Sequence, residues 1–361
     1  MSKHIAYRKK CLEGVYILKV KYDIADCFLI QNLNNHYGII AEKISFIPMG
    51  DSAYSYRVDC NNGNCYYLKL FDEKNDRQRR GIERLEYYLS LTWNLYHQGL
   101  IKNITYPIKN LNRDYKTKIN DLTLVLFNFI EGKTLAESYP FSKEILVKIS
   151  QSMAAIHQIT HYIEPFHMVR ETFDISFTNN LEHCISVLEG THISDNHIIS
   201  VLREKVLGKK DLIYCLLDNV RNLLEFVKKD KQDWVLCHGD LWGGNMIISS
   251  NELYLIDWES AIVAPREYDI VGYVGKDFGS FFSSYKKFLS QDVSINIELL
   301  RFYSYRHHLR NLTNWLMNIL YQNTDEAQSE NDLEMILYHC LNRFENIEDN
   351  LKEAKMFLNE N

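Results

Sequence analysis

The chain has 361 residues, 46% of them hydrophobic and 24% charged, which is ordinary for a globular protein and enough for two separate cores. Its net charge of −6 argues against a nucleic-acid partner, and no run of about 20 apolar residues is present to cross a membrane. The first residues are polar and lack the apolar stretch of a secretory leader, and the eight cysteines show neither zinc-like nor CxxC spacing, so the expectation is a cytoplasmic protein with reduced thiols.

In chain order, residues 1 to about 40 read as amphipathic and helical, with Ile30, Leu33 and Tyr37 at helical spacing and Gly38 as a C-cap. Ile44–Met49 reads as a strand, followed by the small residues Gly50-Asp51-Ser52-Ala53 and a second strand at Tyr54–Val58. Small residues between two strands let backbone amides approach phosphate oxygens; a plain hairpin turn is the other reading. Asn61-Asn62-Gly63-Asn64 is a hairpin turn signal. The next strand, Cys65–Phe71, sets Lys69 among apolar neighbours. Such a lysine is either paired, because burial of a lone charge is costly, or points to water from an edge strand.

Ile82, Leu85, Leu89 and Trp93 mark the apolar face of a helix, with Glu86 close to that face and Glu83 further round. Ile104–Pro107 and Leu122–Phe127 read as strands, the second running into Asn128-Phe129-Ile130-Glu131-Gly132. From Phe141 to about residue 230 the pattern is mainly helical, interrupted by an irregular stretch between Glu164 and Asn180. His157, His161 and His167 lack metal-ligand spacing. Ile295–Phe357 is helical; Arg301, Arg306, His307, His308 and Arg310 read as a solvated or salt-bridged face, and Asp325, Glu326, Glu330 and Asp332 as solvent-facing.

The most informative stretch is residues 234–259. An apolar run, Trp234–Cys237, ends in His238-Gly239-Asp240. Gly243 and Gly244 precede Asn245, a second apolar run covers Met246–Ile248, and a third, Leu253–Ile256, ends in Asp257. These are short strands with polar groups at their ends and one tight loop. A carboxylate at Asp240 can accept a proton. The amide oxygen of Asn245 and the carboxylate of Asp257 are hard donors of the kind Mg²⁺ takes alongside substrate phosphates. A base, an amide five residues on and a strand-end Asp form the layout used in phosphoryl transfer.

His238-Gly239-Asp240 with Asn245, then Ile256-Asp257-Trp258-Glu259 and Ala264-Pro265-Arg266-Glu267-Tyr268-Asp269, resembles the aminoglycoside phosphotransferase and choline kinase superfamily. The resemblance implies an α+β, protein-kinase-like fold: an N-lobe of antiparallel sheet and helix over residues 1–131 and a mainly helical C-lobe over 132–361. It implies ATP or GTP with Mg²⁺, and a small hydroxylated, possibly amine-bearing acceptor, with no protein partner evident. Asp240 is then the catalytic base and Asn245 and Asp257 the metal ligands. Lys69 holds the α/β-phosphates, paired with Glu86 or, second, Glu83. Ser52 contacts phosphate, and the backbone at Asn128 and Ile130 meets the base. Asp269 is expected to brace local backbone. Gly239 stands where protein kinases carry Arg, and Trp258-Glu259 replaces Phe-Gly, which implies activity without activating phosphorylation. The acceptor leans to an aminoglycoside-type antibiotic; fructosamine, choline and other metabolite kinases remain alternatives, as does a non-catalytic nucleotide-binding pseudokinase.

Overall fold

The computed structural model describes residues 21–48, 53–163, 168–191, 196–229, 233–289, 293–323 and 326–360. The chain forms two compact units. The first runs to Lys133 and takes in 247–250 and 254–259; the second comprises Thr134–Met246, Asn251–Leu253 and the chain from Ser260 onward.

The first unit opens with helix α1 (Asp26–Tyr37), ended by Gly38. Five antiparallel strands follow: β1 (Ala41–Ile47), β2 (Tyr54–Cys60), β3 (Cys65–Asp72), β4 (Thr117–Ile119) and β5 (Leu122–Asn128), in the order β1-β2-β3-β5-β4. Helix α2 (Asp76–His97) connects β3 to the segment before β4. Side chains alternate across a strand. Tyr56, Val58, Leu68, Leu70, Leu124 and Leu126 accordingly share one face and pack with Leu29, Leu33 and Tyr37 of α1. Each such aliphatic side chain contributes about 1.5–3 kcal/mol on full burial.

The same alternation sends Lys69, between Leu68 and Leu70, to the opposite face. There it is flanked in the ladder by Ser55 on β2 and Val125 on β5. Lys69 is therefore on a central strand, not an edge. The predicted strand at Ile104–Pro107 is absent: the segment makes only isolated bridges, Ile104 to Leu255 and Pro107 to Phe127. Pro107 has no N–H to donate to a ladder.

In the second unit, strands β6 (Trp234–Cys237) and β9 (Ile262–Pro265) pair antiparallel, with Cys237 opposite Ile262. Between them in sequence lie the short strands β7 (Met246–Ser249) and β8 (Glu252–Leu255), which with their turn carry the segments 247–250 and 254–255 of the first unit and are joined by Ser250 and Asn251, both at positive φ. The remainder is helical: α3 (Lys143–Gln158), α4 (Phe177–Gly190), α5 (His197–Leu207), α6 (Lys210–Val227), α7 (Phe278–Leu289), α8 (Ile297–Met317), α9 (Glu326–Glu334) and α10 (Ile347–Glu360). Helix α8 is buried around most of its girth, against α4 and α6. Its Arg306 forms a buried fork–fork pair with Glu171, and Arg301 pairs with Glu298 and Glu348, so this basic stretch is salt-bridged. Asp332 departs from the solvent-facing expectation: it is buried and accepts from the amides of Asn323 and Gln328. Asp325 and His167 lie outside the described residues. The described cysteines are free thiols.

Candidate active site

In the first unit the chemistry gathers on Lys69. Its ammonium donates to Asp257 Oδ1 at 3.0 Å and to Glu259 Oε1 at 2.5 Å. Burial works against the charged ammonium, but Asp257 and Glu259 together outweigh it and hold the Lys69 pKa well above the usual lysine value. Backbone geometry delivers these acids. Leu255 is bonded on both sides, donating to Asn103 O and accepting from Thr105 N. The chain then turns through Asp257 at φ +61°, a left-handed conformation that Asp tolerates better than most residues. One 3₁₀ turn, Trp258–Ser260, follows, with the Trp258 indole buried and donating to Leu255 O.

In the second unit the loop 238–245 carries Asp240 and Asn245. Asn245 Nδ2 donates to Asp240 Oδ2 at 2.8 Å and to Asp240 O at 3.0 Å. The loop is pinned at several points. Asp269 accepts the N–H of His238 at 2.9 Å and that of Gly239 at 2.8 Å. Tyr273 donates to Leu241 O, Gly243 N–H donates to the Tyr139 hydroxyl, and Leu135 N–H donates to Gly243 O. Gly239 sits at φ +84°, and a Cβ there would stand 2.1 Å from Ser260 O. A Cβ on Gly243 would meet Leu135 O at 2.4 Å. Glycine is required at both positions by close backbone approach.

Behind Asp269 lies a buried relay. His157 Nε2 faces Asp269 Oδ2 at 3.3 Å, and its Nδ1 lies 2.5 Å from the Tyr285 hydroxyl, which accepts from Arg266. With Arg266 donating to Tyr285, the hydroxyl proton is available to His157 Nδ1, and Nε2–H is left to donate to Asp269. Burial, only partly offset by Asp269, depresses the His157 pKa and keeps the ring neutral. Cys237 Sγ lies 4.0 Å from the same Nε2, and burial pushes its thiol well up. These three side chains approach closely enough for a metal, but Asp269 is already committed to the loop amides. His157 thus packs against Asp269 and Tyr285 as a buried hydrogen-bonding partner, which its lone place in the sequence did not signal.

Several predicted contacts are placed differently. Glu86 does not pair with Lys69: its side chain is 68% exposed and bonds Lys116. Glu83 is exposed as well. The buried residue on that part of α2 is Tyr88, flanked by Leu85 and Leu89, so helical phase turns both glutamates outward. Sequence reasoning missed Glu259; its position two residues after Asp257, in a single tight turn, was the available signal. Asn128 is spoken for, since its N–H donates to Tyr106 O and its side-chain oxygen accepts from Tyr106 N. Ile130, half-buried, lies two residues beyond the end of β5. Ser52 lies outside the described residues.

Each unit carries an oxygen donor of the type a hard divalent cation takes. With its NH₂ group turned to Asp240, Asn245 presents its amide oxygen away from that bond, and the Asp257 carboxylate is 37% exposed. Both donors are oxygen, as Mg²⁺ prefers.

The profile of the choline/ethanolamine kinase family matches residues 125–357. No curated protein sequence matches the chain. Among solved structures, a spectinomycin phosphotransferase in complex with ADP and spectinomycin superposes with a TM-score of 0.70 at 18% identity, over 93% of this chain and 99% of that one. An amicoumacin kinase in complex with AMP-PNP and Ca²⁺ gives 0.57 at 16% identity, over 91% and 94%. A choline kinase from Cryptosporidium parvum gives 0.55 at 14% identity, over 92% and 98%. The fold is the protein-kinase-like α+β fold, with an antiparallel sheet in the N-terminal part and helices in most of the remainder.

Proposed function

The chain belongs to the choline/ethanolamine kinase family, and from that premise we propose that it transfers the γ-phosphoryl group of ATP to a hydroxyl of a small, amine-bearing molecule. The observation that carries the proposal is the Asp240–Asn245 pair, held in a loop whose backbone is fixed by Asp269. Asp240 accepts the proton of the acceptor hydroxyl as that oxygen forms its bond to the γ-phosphorus. The bond from phosphorus to the bridging oxygen breaks and ADP departs. Asn245 orients the Asp240 carboxylate. Lys69 places the α/β-phosphates, and the backbone of Ile130 takes the base edge. A divalent cation would be held by the Asn245 amide oxygen and the Asp257 carboxylate, and would supply neutralisation of phosphate charge. Most of the rate acceleration comes from positioning and electrostatics.

The acceptor class follows the relatives: spectinomycin and amicoumacin on one side, choline and ethanolamine on the other. The test is Mg²⁺-dependent ATP consumption with pooled spectinomycin and aminoglycosides, amicoumacin, choline, ethanolamine and fructosamines. Turnover with one pool supports the reading. Nucleotide binding without turnover in any pool points to a non-catalytic nucleotide-binding protein.

A further inference from the structure

The geometry points to Glu259, carried on the same turn as Asp257, as the residue that orients the nucleotide-binding lysine in place of a glutamate from helix α2. The inference rests on the kinase reading above and deepens it.

A buried ammonium needs a buried counter-charge. Lys69 is 7% exposed and has two carboxylate partners. Of these, Glu259 makes the shorter contact, 2.5 Å against 3.0 Å, and its side chain is far less exposed, 11% against 37%. Asp257 is the carboxylate assigned to the divalent cation. Once it turns to a cation, Glu259 is the acid that stays with Lys69. Among the described side chains of helix α2 no acid can substitute, since Glu86 is engaged by Lys116 and Glu83 faces solvent. Its inward residue is Tyr88, buried with a hydroxyl that makes no hydrogen bond among the described residues. Burial above all, then the Glu259 and Asp257 charges, disfavour ionisation of Tyr88, while Lys69 opposes them; the phenol stays neutral and adds no anion.

The turn bearing Glu259 is rigidly seated, with Trp258 buried and Leu255 bridged to Ile104. In protein kinases the lysine's acid partner rides on a helix whose position controls activity. Here the lysine and its acid are set by the sheet and by the turn after β8, so the position of α2 does not govern nucleotide binding.

The experiment is calorimetric titration of ADP into the full chain with EDTA present, which removes any role of Glu259 as a metal ligand. Glu259→Gln is expected to weaken metal-free ADP binding at least tenfold, with Glu86→Gln within twofold of wild type. Because Glu259→Gln also perturbs a buried pair, Lys69→Gln and the double variant complete a cycle: the double is expected to bind no more weakly than Lys69→Gln alone. Additive losses, or wild-type affinity in Glu259→Gln, overturn the inference. Wild-type protein that binds no nucleotide, with or without Mg²⁺, overturns the kinase reading beneath it and the inference with it.

Discussion

Asn245 donates its side-chain amide to the carboxylate of Asp240 at 2.8 Å, so one short loop carries the proposed base and fixes its orientation. Replacing Asp240 by Asn removes the proton acceptor and leaves the loop's backbone hydrogen bonds in place. We expect kcat to fall by about 10²–10⁴-fold, the usual worth of general-base assistance, with ATP affinity within a factor of two of wild type. Steady-state turnover on the acceptor found by screening, alongside nucleotide titration, checks both halves.

Glu171 and Arg306 are each about 4% exposed at the side chain, and Glu171 also accepts from the backbone of Thr172 and Phe173. Burial alone would raise the Glu171 pKa, but Arg306 outweighs it and holds the carboxyl below its usual range. Arg306→Met strands this carboxylate, at a cost of about 3–5 kcal/mol. Urea unfolding should show the loss. The double variant Glu171→Gln/Arg306→Met should recover part of it, because no buried charge is left unpaired; a double variant less stable than Arg306→Met would contradict this account.

Much of this arrangement was readable from residue order. Apolar alternation placed β2, β3 and β5, and the spacing of Asp240, Asn245 and Asp257 singled out the loop and the turn that the proposed chemistry uses, because strand ends and tight glycine turns leave local signatures. Long-range pairing leaves none. The carboxylate that meets Lys69 is 190 residues away in sequence, and helical phase near Glu86 was too coarse to separate a residue beside the apolar face from one on it. The relay through His157, Tyr285 and Arg266 likewise joins separated positions that carry no common pattern.

His157 and His308 are both held neutral by burial. Asp269 opposes the effect at His157, whereas His307 and Arg343 reinforce it at His308, whose pKa is depressed to about 3. The unfolded chain takes up these protons near pH 6.5 and the folded chain does not. Stability should therefore be level above pH 7, fall as pH drops below about 6.5, and keep falling until the folded pKa values are reached. Thermal melts between pH 8 and pH 4.5 would record the slope, which His308→Gln should reduce.

Gly239 lies at φ +84° against Ser260 O. Gly239→Ala adds left-handed strain of about 1–3 kcal/mol together with a backbone clash next to Asp240. We expect a lower Tm and a kcat loss of roughly 10²-fold, the scale of a 1 Å misplacement of a reacting group. The same position bears Arg in protein kinases, where it reads a phosphorylated loop. Treatment of the protein with phosphatase should accordingly leave turnover unchanged.

The residues that neutralise Lys69 leave the ribosome long after it does, Asp257 being 188 positions downstream. A fragment ending near Lys133 would keep the five-stranded sheet and lose both counter-ions, leaving a bare ammonium on its inner face. This N-terminal part is thus a poor candidate for expression on its own, and in the cell it reaches its final form only when synthesis is more than two-thirds complete.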